Sequence, residues 1–98
     1  MPLPVVHVGC EFEGQCLICD GSPIVRGKMI DGEFATIDGN PICVTGSIGL
    51  SNCGHMCYSV GQSVVWYINS KPVVRIGDPV QGDIIGKLVT GSDYVNSD

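Results

Sequence analysis

The stretch KPVVRIGD, residues 71–78, decides the fold because the chain contains two further versions of it. They are LPVVHVGC at residues 3–10 and NPICVTGS at residues 40–47, and their prolines are spaced 37 and then 31 residues apart. Self-similarity at a nearly constant period is typical of repeat architectures. Chance similarity among Val- and Gly-rich strands is the alternative, and it is weakest for the second and third copies.

The residues before the second and third copies predict β-hairpins. TIDG at residues 36–39 and YINS at residues 67–70 each end in a two-residue turn signal, Asp-Gly being stronger than Asn-Ser. A proline at the head of a strand loses no interior ladder bond, and the glycine at the end of each copy allows a sharp turn at positive φ. We therefore predict three hairpin repeats around a pseudo-threefold axis.

The composition predicts one small all-β domain over residues 1–98. Fourteen Gly and six Pro interrupt the chain, and no window has the apolar spacing and caps of a helix. Short β-branched runs between turn signals recur instead, which is typical of many short strands. These runs are PVVHV, FATID, PICV, SVVWYIN, KPVVRI and IIGKLV.

The charge balance argues against several partners. Five Lys or Arg against ten Asp or Glu give a net charge of −5, which disfavours nucleic acid and anionic membranes. The N-terminal MPLPVVHVG lacks a basic region and a long apolar run, so we expect neither a secretory signal nor a membrane span. Without a signal, the six cysteines are better interpreted as metal ligands or core thiols than as disulfides.

Two of the three loops that follow the repeat glycines carry soft metal ligands. Cys16 and Cys53 both lie six residues beyond the last residue of their repeat copy, and Cys19, His55 and Cys57 follow closely. These are five candidates for a four-coordinate site, for which zinc is the natural occupant and iron a possible one. The alternative is a cluster of buried thiols beside a surface histidine.

Two motifs resemble a known family. YINSKPVVRIGD at residues 67–78 is similar to the INGxPVARxGD signature of PAAR-repeat proteins, and LVTGS at residues 88–92 is similar to the family's repeated IVxGS. The resemblance implies a small conical tip that caps a trimeric β-helical spike, one tip per trimer. Such tips belong to the baseplates of contractile phage tails and to type VI secretion machines.

The resemblance also implies a Cys/His metal site near the point of the cone. Cys19 precedes GSPI at residues 21–24 as a family ligand precedes GGPI, and His55 has the right distance to the strand that follows it. We therefore predict that the metal is bound by Cys16, Cys19, Cys53 and His55, with Cys57 in reserve. A metal there would staple an apex too narrow for a large apolar core.

Other residues have predicted structural or partner roles. His7 and Arg75 occupy analogous positions in the first and third copies, and we expect one or both to contact the spike. Cys43 is predicted to be a core or face residue, Cys10 to tie a turn or serve as a spare ligand, and Trp66 to pack in the core.

The resemblance implies a purely mechanical protein. It would be a monomer by itself, with no catalytic residues, no small-molecule substrate and no membrane anchoring. It would be found at the virion tail tip, or in the bacterial cytoplasm before export on a secretion spike.

Two other function classes stay open at this point. A zinc-dependent protein-interaction module overlaps with the tip hypothesis. A thiol redox protein using the CxxC at residues 16–19 is less favoured, because no helix is predicted after it to lower a thiol pKa. A hydrolase is least favoured, since neither histidine has a nucleophile and an orienting carboxylate nearby in the sequence.

Overall fold

A ring of backbone hydrogen bonds joins the three repeat copies. In the computed structural model, which describes residues 3–37, 39–63, 66–92 and 95–97, the Val6 N–H donates to the Val74 carbonyl, Val74 to Cys43, and Cys43 to Val6, at 2.9–3.0 Å. The three residues hold the same position in their copies. The pseudo-threefold repeat predicted from the sequence is therefore confirmed.

A second ring lies two residues further along each copy. Each of its three N–H groups donates to the repeat proline of another copy, at 2.8–3.1 Å, and the pairs are Val8 to Pro41, Thr45 to Pro72 and Ile76 to Pro4. Because proline has no N–H, its carbonyl is the only backbone group it can offer to such a ring. The two rings hold the centre of the domain together across repeats.

All regular secondary structure in the described part of the chain is β, as the sequence predicts. No helix there is long and apolar enough to cross a membrane. The twelve strands are β1 (Leu3–Pro4), β2 (Glu11–Cys16), β3 (Ile24–Met29), β4 (Thr36–Ile37), β5 (Asn40–Pro41), β6 (Ile48–Ser51), β7 (Met56–Ser59), β8 (Tyr67–Ile68), β9 (Lys71–Pro72), β10 (Pro79–Gly82), β11 (Ile84–Leu88) and β12 (Asn96–Ser97).

Each repeat proline lies in a short two-stranded ladder. β4 pairs with β5, and β8 with β9 through a turn in which Asn69 and Ser70 have φ of 54° and 65°. Two positive φ values define the hairpin turn that the sequence predicts there. Asp38, in the other predicted turn, lies outside the described residues, as do Val64 and Val65 of the SVVWYIN run.

The ladder of the first repeat is completed by the far end of the chain. β12 pairs antiparallel with β1, with Leu3 opposite Ser97 and Pro4 opposite Asn96. No partner strand was predicted for the first copy, because the matching strand does not precede it in the sequence. The three ladders thus follow the same plan while the chain runs once around the axis.

The segments after the repeat glycines, which were predicted to be loops apart from the strand IIGKLV at residues 84–89, are long hairpins. β2–β3, β6–β7 and β10–β11 pair edge to edge into a closed six-stranded barrel. On β2, the exposed or half-exposed Glu11, Glu13 and Gln15 alternate with buried residues. The inward positions of β2 include Gly14 and Cys16, so the sequence lacks the alternation of aliphatic and polar residues by which a strand is usually predicted.

The apolar interior is divided between the barrel and the ladders. Both parts take one residue from every repeat copy: Val6, Cys43 and Val74 face the barrel, and Val5, Ile42 and Val73 face the ladders. Cys43 is fully buried, which confirms a predicted core position, whereas Trp66 is partly buried and packs against the edge of the ladder cluster. Burial of aliphatic side chains at both ends of the rings stabilises the repeat interface.

The last residue of each copy closes a tight corner with its side chain. Cys10 Sγ accepts the His7 N–H at 3.5 Å, Ser47 Oγ the Val44 N–H at 3.0 Å, and Asp78 Oδ2 the Arg75 N–H at 2.8 Å. Cys10 therefore ties a turn, which is one of the two roles predicted for it. The chemical requirement at this position is an acceptor, and Asp, Ser and Cys each supply one.

Replacing Asp78 with alanine is expected to lower the free energy of unfolding by about 3 kcal/mol. Asp78 is 2% exposed, also accepts the Gln62 N–H, and has Oδ1 3.4 Å from Nη2 of Arg75, whose buried Nε has no hydrogen-bond partner. Alanine would leave that cation buried and unpaired. Urea unfolding would measure the loss, and the exposed Asp83→Ala variant is the control. Equal stabilities of the two variants would contradict this account.

Candidate metal centre

The tips of two hairpins bring four soft ligands together. Cys16 is the last residue of β2 and Cys19 lies in the loop that follows, while Cys53 and His55 lie in the turn between β6 and β7. These four are the residues predicted from the sequence. Their ligand atoms all lie within 4.8 Å of one another, and no other such group of three or more occurs among the described residues.

The imidazole lies at the centre of the three thiols. His55 Nδ1 is 3.2 Å from Cys16 Sγ and 3.4 Å from both Cys19 Sγ and Cys53 Sγ. The Sγ atoms of Cys16 and Cys53 are 3.6 Å apart. A tetrahedral site with Zn–S bonds of ~2.3 Å has S–S edges of roughly 3.8 Å. The four donors therefore fit a single metal ion.

Local backbone geometry delivers the ligands to one point. Gly54 has φ of 84°, which turns the chain between Cys53 and His55, and the Ser51 N–H donates to the His55 carbonyl at 2.9 Å to close the turn. In the first hairpin, the Ser22 N–H donates to the Cys19 carbonyl at 3.1 Å. Both loops are thus held in shape by their own backbone hydrogen bonds, independently of a metal ion.

Hydrogen bonds lower the pKa of two of the three thiols. Burial opposes ionisation of Cys16, but hydrogen bonds from the Cys19 and Ile18 backbone and from the Cys19 and His55 side chains lower its pKa. The hydroxyl of Ser51, 2.9 Å from Cys53 Sγ, is the main cause that lowers the pKa of Cys53 to about 6. Thiolates are the form that binds metal.

The pKa values of the other two ligands are raised. Hydrogen bonds to Cys16 and Cys53 raise the pKa of Cys19 to about 12, and hydrogen bonds to the same two side chains raise the pKa of His55. A metal ion would displace the proton of the Cys19 thiol, because a coordinating thiol must be deprotonated. The cluster can therefore bind a metal ion, and proton release would accompany binding.

The reserve ligand lies elsewhere. Cys57 is 2% exposed in the barrel interior, opposite Gly82 of β10, and burial raises its pKa to about 11. Cys43 is similar, with burial raising its pKa to about 12. Both are positioned as core thiols.

The two predicted partner-contact residues lie at the repeat corners, outside the cluster. His7 is half-buried, with Nδ1 2.8 Å from the Val8 carbonyl oxygen. The Arg75 side chain is 14% exposed and forms an ion pair with Asp78. The positive charge of Arg75 is therefore largely neutralised by Asp78 within the domain.

Two contributors to the site were missed by sequence reasoning. Ser51 contacts Cys53 and also accepts the His55 N–H at 3.2 Å, and the Leu17 N–H donates to the Asp83 carbonyl at 2.9 Å. The second bond ties the ligand-free third hairpin to the first one. Ser51 could have been predicted to contact the site, because it lies two residues before the ligand Cys53. Nothing in the sequence predicts the contact with the backbone of Asp83.

The affinity for zinc is expected to decrease more steeply once the pH falls below about 6, because a proton on Cys53 then competes with the metal ion. The lowered pKa has a second effect in the metal-free protein. Its stability contribution is present above the ordinary value of 9.0 and is lost as pH falls to about 6. Release of zinc to a chromophoric chelator across a pH series would measure the first effect.

The matched variant for this series is Ser51→Ala. It removes the hydrogen bond that lowers the Cys53 pKa, so the midpoint of release should move to higher pH. An unchanged midpoint would contradict the assigned role of Ser51.

Comparisons with protein-family models, with curated proteins and with solved structures found no match. The function of the chain must therefore be inferred from its repeat, its Cys/His cluster and its surface.

Proposed function

We propose that the chain is a structural tip of a contractile injection machine, either a phage tail or a type VI secretion system, that caps a trimeric β-helical spike. The observation that carries this proposal is the pair of threefold hydrogen-bond rings made by one chain. A pseudo-threefold monomer can present the same contact to each chain of a true trimer, which matches one tip to three spike chains.

The position of the cluster supports the same assignment. The repeat corners bond to the base of each hairpin, as in Gly9 N–H to the Met29 carbonyl, Gly46 to Ser59 and Gly77 to Leu88. The ladders and corners therefore lie at one end of the hairpins, and the Cys/His cluster lies at the other. One end is available to a trimer, and the opposite end carries the group of metal-binding side chains.

We propose zinc as the ion. Three cysteines and one histidine form a closed four-ligand set of the kind found in structural zinc sites, and no ligand position is left for a substrate. The role would be mechanical, with no catalysis: a stapled point resists bending when contraction drives it through an envelope. The protein would then act at the virion tail tip, or at the tip of a spike exported from the bacterial cytoplasm.

The test is native mass spectrometry of the zinc-loaded protein mixed with a trimeric β-helical spike protein encoded by the same genome. The expected species contains one tip, one zinc ion and three spike chains. His7→Ala, at a corner, should weaken the complex, while Leu17→Ser, at the hairpin tips, should leave it intact. The absence of a complex, or three tips per trimer, would overturn the proposal.

A further inference from the structure

The sulfur atoms of Cys16 and Cys53 are in contact across two hairpins. Their Sγ atoms are 3.6 Å apart, and all six cysteines of the chain are free in the structure. A disulfide bond needs a separation of ~2.05 Å, so a shift of roughly 0.8 Å by each sulfur would be enough to join the two. The cluster therefore contains a pair of thiols placed for a second kind of cross-link.

The two thiols differ in their access to solvent. Cys16 is fully buried, whereas Cys53 is only partly buried. A small hydroperoxide such as hydrogen peroxide oxidises an accessible cysteine to a sulfenic acid, which a neighbouring thiol then converts to a disulfide. Of the pair, Cys53 is therefore the thiol that a peroxide reaches, and Cys16 is the thiol that completes the bond.

We propose that Cys16 and Cys53 form a disulfide when the protein meets a hydroperoxide, and that this bond replaces the metal ion as the cross-link between the two hairpins. The Cys53 sulfur attacks one oxygen of hydrogen peroxide, the O–O bond breaks and hydroxide leaves. The Cys16 sulfur then attacks the sulfenic sulfur, the S–O bond breaks and a second hydroxide leaves. Two thiolates and one hydrogen peroxide thus give one disulfide and two hydroxide ions, and two electrons pass from sulfur to oxygen.

Oxidation of this pair also removes the metal ion. Only Cys19 and His55 remain as ligands once the other two sulfurs are bonded to each other, and a structural zinc site uses four protein ligands. Because the disulfide takes two of the three sulfurs, Cys19 stays behind as a free thiol. Zinc release and disulfide formation are therefore one event with a fixed ratio.

The pairing across hairpins has a mechanical consequence. Cys16 ends β2, Cys53 lies in the turn after β6, and the two residues are 37 positions apart in the sequence. A bond that closes so long a loop restricts the unfolded chain and stabilises the folded one. A bond between Cys16 and Cys19 would close only a short loop and would leave the two hairpins unconnected.

The setting in which the bond would matter follows from the proposed function. Thiols stay reduced in the cytoplasm and are oxidised outside it, so an exported chain would keep its hairpins joined after losing zinc. This benefit depends on the proposed export, whereas the pairing itself depends only on the geometry of the cluster.

The test is a peptide map of the zinc-loaded protein after treatment with hydrogen peroxide. Free thiols are alkylated in denaturant, and the protein is digested with trypsin without reduction. Cys16 and Cys19 lie in the tryptic fragment 1–26, and Cys53 lies in fragment 29–75. We expect the two fragments to be joined through Cys16 and Cys53, with one zinc ion released per bond and alkyl groups on the other four cysteines. Dithiothreitol should restore zinc binding.

The thiols of the barrel interior serve as an internal control. Cys10, Cys43 and Cys57 are 5%, 0% and 2% exposed, so peroxide should leave them reduced. Two variants give a matched comparison: Cys19→Ser keeps both partner sulfurs and should form the bond, whereas Cys16→Ser should not. The wild-type map decides the pairing even if either variant fails to fold.

Stability gives a second measurement on the wild-type protein. The zinc-free oxidised form should melt at a higher temperature than the zinc-free reduced form, because only the former has its hairpins joined. Equal melting temperatures would show that the bond does not act as a cross-link of the fold.

Three results of the peptide map would overturn the proposal. They are a bond confined to fragment 1–26, sulfinic or sulfonic acid in place of a bond, and a bond between two chains. Each would mean that Cys16 and Cys53 are not the reacting pair. The peroxide experiment uses no spike protein, so a chain that forms the bond but caps no trimer would contradict the proposed function alone.

Discussion

Replacing Cys53 with serine is expected to abolish metal binding and to unfold much of the domain at 37 °C. Structural zinc sites contribute about 10–16 kcal/mol to folding in small domains, whereas a whole domain is stable by only about 5–15 kcal/mol. Cys53 contacts Ser51, Cys16 and His55, so serine would remove a thiolate from the middle of the network. Melting temperature and zinc content of the soluble protein should fall together, the former by more than about 10 °C.

The matched control is Cys57→Ala, four residues away in the same hairpin. Cys57 lies in the barrel interior and outside the ligand group, so alanine should leave one bound ion and cost only about 1 kcal/mol for the small cavity. If Cys57→Ala lost the ion and Cys53→Ser kept it, Cys57 would be a ligand and the geometry described here would be wrong. His55→Ala gives an independent reading, because it should also lose the ion.

Replacing Gly86 with alanine is expected to destabilise the domain by about 3 kcal/mol or to prevent folding. Gly86 of β11 faces Gly14 of β2 where the third hairpin meets the first. An added Cβ would collide with the Glu13 carbonyl oxygen and the Gly14 Cα, which are backbone atoms that cannot rotate away. The two strands would have to separate, opening the barrel at this seam.

Lys87→Ala in the same strand is the control for this glycine. Lys87 is exposed, so its substitution should change the free energy of unfolding by less than about 0.5 kcal/mol. Chemical denaturation of both variants, with zinc bound, would compare them. Wild-type stability of Gly86→Ala would mean that the strands are further apart than described.

The repeat could be predicted from the sequence because each copy performs one physical task. Proline heads a short strand, the aliphatic residues point alternately to the ladders and the barrel, and glycine turns the corner. Val73 and Val74 show this directly, since they are adjacent and fully buried in different clusters. Equivalent residues with the same structural role in three copies produce a repeat that can be recognised in the sequence.

The ligand set was harder to choose from spacing alone. Cys53, His55 and Cys57 are each two residues apart, and in a continuous strand all three would share one face. The turn at Gly54 breaks that strand, so the first two residues lie in the turn and Cys57 begins again on the inner face of β7. This change of direction depends on the φ angle of one glycine, and the φ angle cannot be predicted from the spacing of the cysteines and the histidine.

The barrel was missed for a different reason. The inward positions of its hairpins include Gly14 and Gly49, because the Phe12 ring and neighbouring backbone leave no space for a side chain there. Large aliphatic residues at these positions would have indicated a strand, and glycine does not. β12 was missed because its partner is at the other end of the chain. Pairing across such a distance leaves no local signal.

That last pairing determines when the protein can finish folding. β1 is synthesised before β12, and Leu3 and its partner Ser97 lie 94 residues apart, so their ladder closes a long loop and has a high contact order. The second and third ladders need only a two-residue turn each. During translation the Val5 N–H therefore lacks its acceptor, the Val95 carbonyl, until the segment that contains β12 leaves the ribosome.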